Sequence, residues 1–126
     1  MTAQQLLNTS LSLMSEDSAE DYEAFAIPLI NVLLAETFEV NNGLRIFNGK
    51  EPAASLQLVT NLTDTLEVED ILASSALPYG LASKLLFDDD DMNRMGYMTN
   101  QYANAVNALA KCNPKPIVDV YGGGEE

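Results

Sequence analysis

The sequence predicts a mainly α protein: a small bundle of about four helices, with one or two short strands and an extended C-terminal arm. Three observations carry this. Apolar residues recur at helical spacing over most of the chain. Helix-starting residues stand where the periodic stretches begin. The segment after Cys112 changes character, to prolines, β-branched residues and glycines. Residues 1–113 read as the helical domain and residues 114–126 as the arm and tail.

In the first element, Thr2 and Gln5 have the spacing of a capping box, with Leu6, Leu7, Leu11 and Met14 on one face. A helix over residues 3–14 is expected, then a polar turn through Ser18. Ser18 is expected to cap a second helix, whose first turn carries Glu20, Asp21 and Glu23 against the positive end of the helix dipole. Tyr22, Phe25, Ala26, Leu29, Ile30, Leu33 and Leu34 make its wide apolar stripe, and Pro28 is expected to kink it. Asn42-Gly43 reads either as the helix cap or as a hairpin turn. Residues 48–52 are loop. Residues 55–62 alternate weakly and suggest a short strand or extended segment.

Thr63-Asp64 should turn the chain into a third helix near residues 68–75. Pro78 is expected to restart that helix in its first turn, where a missing donor costs nothing. Gly80, with Leu81 and Ala82, offers a narrow face for a close helix neighbour. Asp89 or Asp90 is expected to cap the last helix, along which Met95, Met98, Tyr102, Ala105, Val106 and Leu109 recur at threes and fours. Asn113-Pro114-Lys115-Pro116 ends it. Ile117, Val118, Val120 and Tyr121 are apolar and β-prone, and a glycine-rich acidic tail follows. They read either as an edge strand packed back on this domain or as an arm added to a partner's surface.

Composition narrows the function. The chain has 126 residues, 47% of them hydrophobic, which suits one domain with a real core. Its formal net charge is −13, from 19 acidic and 6 basic residues, so it will not grip phosphate backbones. That acidity fits a plain solvated surface, a surface that must lie near DNA without adhering, or a mimic of DNA phosphates. The lone Cys112 has no internal disulfide partner. The N-terminus lacks the basic region of a signal peptide, and the longest apolar run, residues 24–35, is too short to span a membrane. A soluble chain made in the cytoplasm is expected.

Chemistry finds little footing. With no histidine and one cysteine, no Cys–His pair or Ser–His–Asp triad exists. Asp88, Asp89, Asp90 and Asp91 invite a calcium reading, which would make the chain a calcium-responsive binding module. The best EF-hand register, from Asp89, puts Arg94 where glycine is needed and Asn100 where glutamate is needed. An acidic turn feeding a helix start is the simpler reading. Met92, Met95 and Met98, with Tyr97 and Tyr102, read as core or as an adaptable binding face. No enzyme activity, cofactor or metal is expected.

Several short pieces, in order, resemble the head–tail adaptor (connector) proteins of tailed bacteriophages. They are Leu77-Pro78-Tyr79-Gly80-Leu81-Ala82, the acidic turn after it, and Tyr102 on the next helix. Before them come Ile30-Asn31 and, after one unmatched position, Leu33-Leu34-Ala35-Glu36-Thr37-Phe38, then Asn41-Asn42 with Leu44-Arg45, and Thr63-Asp64; after them come residues 117–122. The resemblance spans roughly residues 22–122. It favours helix through Arg45. It implies a structural virion protein, a small helical subunit forming a ring, usually of twelve copies, beneath the portal. Such a ring joins the head to the neck or tail, and genomic DNA passes through without specific binding. Its partners would be the portal protein, copies of itself and a downstream neck or tail protein. Its place would be the virion, and the host cytoplasm during assembly. Ile117, Val118, Val120 and Tyr121 would meet the portal or a neighbouring subunit. A stopper or tail-completion protein, and an acidic DNA-mimic inhibitor of a nucleic-acid enzyme, are the alternatives.

Overall fold

The computed structural model describes residues 1–16, 20–88 and 91–111, and over these the chain is mainly α. Its elements are α1 (Ala3–Leu13), α2 (Glu20–Glu36), α3 (Phe38–Phe47), α4 (Asp70–Ser75), α5 (Leu77–Asp88) and α6 (Met92–Ala110).

The start of α1 follows the capping box. Thr2 Oγ1 accepts from the Gln5 N–H at 3.1 Å, and the Thr2 N–H donates to Gln5 Oε1 at 2.9 Å. Two more orphan donors are met from a distance: the Ala3 N–H by the Asp64 carbonyl (2.9 Å) and the Gln4 N–H by the Leu62 carbonyl (2.8 Å). Leu66 N–H donates to the Met1 carbonyl, which leaves Thr2 and Thr65 in an isolated antiparallel bridge. The helix closes at Ser15, whose φ of 59° lets the Glu16 N–H reach back to the Leu11 carbonyl.

The chain's second long helix divides, though not at its proline. Pro28 sits inside α2 without ending it. The break falls at Thr37, which is fully buried with φ −104° and ψ 8°. Its hydroxyl donates to the Leu33 carbonyl at 2.8 Å and competes there with its own N–H at 3.0 Å. Such back-bonding bends helices. Asn42-Gly43 is neither cap nor hairpin, because α3 runs through it. The helix ends on Gly49 instead, at φ 81°, with Lys50 N–H bonded to the Arg45 carbonyl at 2.7 Å.

Residues 55–62, expected as a short strand or an extended segment, form no strand. Asn31 takes both main-chain groups of Val59, accepting its N–H at 2.8 Å and donating to its carbonyl at 3.0 Å. Asn42 holds Ala53 in the same way, at 2.8 and 3.3 Å. Asn41 spans the Glu67 carbonyl (3.3 Å) and the Glu69 N–H (2.7 Å). Three side-chain amides thus serve as the pairing edge that a neighbouring strand would have supplied. They hold a connection between α3 and α4 that is long for one without regular structure.

The third expected helix comes as two pieces that part at Ala76, with Pro78 in the first turn of α5. Helix α5 is mostly apolar, with Ser83 and Lys84 on one side, the composition of a largely buried helix. It packs against α1, α2, α4 and α6. Leu77, Leu81 and Leu85 are fully buried with Leu6 and Leu7 of α1 and Ile30 and Leu33 of α2. Each such leucine contributes on the order of 1.5–3 kcal/mol by leaving water. Ser10, also buried, points its hydroxyl between the Leu6 and Pro78 carbonyls and ties α1 to the start of α5.

Helix α6 is capped by Asp91, which accepts from the Arg94 N–H. The expected caps Ser18, Asp89 and Asp90 lie outside the described residues. The Arg94 guanidinium bonds the Met14 carbonyl, placing a cation at the negative end of α1. Along α6 only Met98 is buried, while Met95, Tyr102, Ala105, Val106 and Leu109 lean half-buried on the core. No described helix is long and apolar enough to cross a membrane.

Candidate interaction surface

Helices α2, α5 and α6 meet at Gly80. A Cβ there would lie 2.6 Å from Leu33 Cδ2 and 2.8 Å from the Tyr102 ring, so the three helices approach as closely as they do because Gly80 has no side chain. Around this crossing runs a small polar chain. Tyr102 donates its hydroxyl to Glu36 Oε1 at 2.9 Å, and Lys84 Nζ donates to Glu36 Oε2 at 3.2 Å. Burial pushes the Tyr102 hydroxyl pKa well up, and the hydrogen bond to Glu36 and its charge push the same way. Ser83 and Thr99 join α5 to α6 through their hydroxyls at 2.5 Å. Leu33, Glu36, Gly80 and Tyr102 all come from pieces that carry the adaptor resemblance.

Beside the crossing lies an apolar groove. Ala24, Phe25, Pro28 and Leu29 of α2 face Lys84 and Phe87 of α5 across about 240 Å³. It continues as about 350 Å³ between Leu29, Val32, Ser83, Phe87 and Met95. Phe25, Val32 and Phe87 are 46%, 45% and 65% exposed. Single exposed apolar residues need no explanation, but several lining one groove mark a contact surface. Lys84 is the cation at its centre. Pro28 has no N–H for the Ala24 carbonyl one turn back, so an acceptor in the groove wall lacks its usual helical donor. Other apolar residues stand exposed where α3 ends and α4 begins: Ile46, Phe47 and Ile71.

That junction is held by Glu69, a carboxylate only 6% exposed. Asn48 Nδ2 donates to it at 2.9 Å, Lys50 Nζ at 3.0 Å, and Arg45 stands 3.9 Å away. The Asn48 hydrogen bond leads in holding its pKa below the ordinary value, with Lys50 and Arg45 adding to it against the opposing effect of burial. Asp64, which accepts the Thr60 and Asn61 N–H groups at 2.8 and 3.0 Å, is lowered by those two bonds. Both carboxylates brace loops. Among the described residues no group of three His, Cys, Asp or Glu side chains gathers to hold a metal ion.

Ile117, Val118, Val120 and Tyr121, the partner-binding residues read from sequence, lie outside the described residues. The methionine–tyrosine face of α6 is split: Met98 is core, Met95 and Tyr102 are half-buried, and Met92 and Tyr97 are more than half exposed. The groove itself was not foreseen. Its signal was present in α5, which is apolar over most of its surface and so leaves Phe87 over after its neighbours are covered, and in a proline set midway along an apolar stripe. Comparison of the chain with models of protein families, with curated proteins and with solved structures finds no match.

Proposed function

We propose that this chain is a structural head–tail adaptor, a subunit of a ring of about twelve copies that sits beneath a phage portal and links the capsid to the neck or tail. The observation that carries the reading is the ordered set of adaptor-like pieces. Residues from three of them, Leu33 and Glu36, Gly80, and Tyr102, meet at one helix crossing rather than scattering over the surface. Two further features suit it. Apolar groups remain exposed both along the α2–α5–α6 groove and at the α3–α4 junction. A subunit of a head-to-tail ring needs two different contact faces, because each interface joins unlike patches. The net charge of −13 suits a channel that DNA crosses without adhering, since like charges repel over about 8 Å at physiological salt. The work of such a protein is assembly, with no catalytic step. Its place is the virion, after assembly in the host cytoplasm.

The test is native mass of the chain mixed with the portal encoded beside it. Addition of about one copy per portal subunit, weakened by deleting residues 114–126, is the expected result. An unchanged portal mass, with tight binding to a DNA-processing enzyme instead, would replace this reading with the DNA mimic.

A further inference from the structure

We infer that, in the free protein, residues 117–121 of this same chain fill the α2–α5–α6 groove. Docking in cis needs no portal and no ring, so it stands or falls apart from the adaptor reading.

The first ground is reach. The Ser83–Thr99 contact fixes the register of α5 against α6. Lys111, at the end of α6, lies twelve residues past Thr99, about 18 Å along the helix axis. Met95, at the far end of the groove, is about 24 Å from that point. An extended chain covers at most ~3.3–3.6 Å per residue, so residue 117 reaches about 20 Å back from Lys111 and residue 121 about 34 Å. With a few ångströms spent stepping sideways off α6, the apolar part of the arm comes level with the groove, and the linker before it is just long enough. A proline disfavours helical backbone at the residue before it, so the sequence Asn113-Pro114-Lys115-Pro116 suits a linker of that length.

The second ground is chemistry. In extended backbone Ile117, Asp119 and Tyr121 share one side. The groove offers the matching order: Val32 at the near end, Lys84 in the middle, Phe25, Phe87 and Met95 at the far end. Ile117 and Tyr121 would cover the apolar ends, with Asp119 opposite the Lys84 ammonium. An extended segment also brings free N–H groups, which suit the Ala24 carbonyl that Pro28 leaves without its helical donor.

The experiment is paramagnetic broadening of backbone amides in the full chain. A spin label is placed at Gly123→Cys in a Cys112→Ser background, which leaves the docking residues intact. Strong broadening at Leu29, Val32, Ser83 and Phe87, unchanged on tenfold dilution, is the expected result. Adding Val32→Asp, a change at an exposed position, should abolish it while the other amide shifts hold. Absence of broadening at the groove overturns the inference. So does broadening that fades on dilution or appears on unlabelled chains mixed with labelled ones, since that assigns the groove to another copy's arm. Broadening that survives Val32→Asp unchanged places the arm elsewhere and overturns it too.

Discussion

Gly80 and Gly96 stand on neighbouring helices and answer to opposite physics. A methyl group at Gly80 would overlap Leu33 and the Tyr102 ring, while one at Gly96 meets nothing within 4 Å. Overpacking typically costs about 1–3 kcal/mol, against a gain of ~0.5–1 kcal/mol from removing a helical glycine. Gly80→Ala should therefore destabilise by about 1–2 kcal/mol, and Gly96→Ala should stabilise by ~0.5–1 kcal/mol. Urea unfolding of the two variants beside the parent checks the pair. A neutral Gly80→Ala would mean that the helices do not cross as closely as described. Sequence pointed to Gly80, beside Leu81 and Ala82, as a place for close approach, yet not to what it meets there. The difference lies in Leu33 and Tyr102, which are 47 and 22 positions away.

Among the elements, the connection from α3 to α4 owes its shape to asparagines on the helices rather than to residues of its own. Asn31→Ala removes two hydrogen bonds to Val59 and leaves a mostly buried main-chain pair unmet. A loss of about 1–3 kcal/mol is expected. Amide exchange at Val59 should quicken far more than at Ala53, which Asn42 holds. Equal quickening at both would show that the loop opens as one piece. Helix starts and stops were readable where local chemistry sets them, as at Thr2 with Gln5 and at Pro78. The break at Thr37 was not, because a threonine inside an apolar stripe is ordinary. It bends the helix only once burial leaves its hydroxyl no acceptor but the Leu33 carbonyl. The alternation over residues 55–62 left strand and extended segment open for a related reason: alternation marks extended chain, and extended chain need not pair with another strand.

At the scale of the whole molecule, stability should follow pH through the carboxylates that brace its loops. Glu69 has a folded pKa below its ordinary 4.5. Its contribution is thus complete above about pH 4.5 and is lost as pH falls through the lower folded value. Asp64 acts in the same direction. Urea midpoints for the parent chain should drop between pH 5 and pH 3, and Glu69→Gln should flatten that drop while lowering stability at pH 7 by roughly 1–3 kcal/mol. An equally steep drop in Glu69→Gln would remove Glu69 from the account. By itself the sequence determined the helical class, the capped start of α1, the restart at Pro78 and the strong negative charge, because each follows from residues near one another or from composition. It also carried the ordered pieces on which the adaptor reading rests. Tertiary structure alone decided the crossing at Gly80, the asparagine clamps, the Glu69 brace and the open groove. These join residues dozens of positions apart, and whether an apolar side chain ends in the core or at the surface depends on how many neighbours reach it.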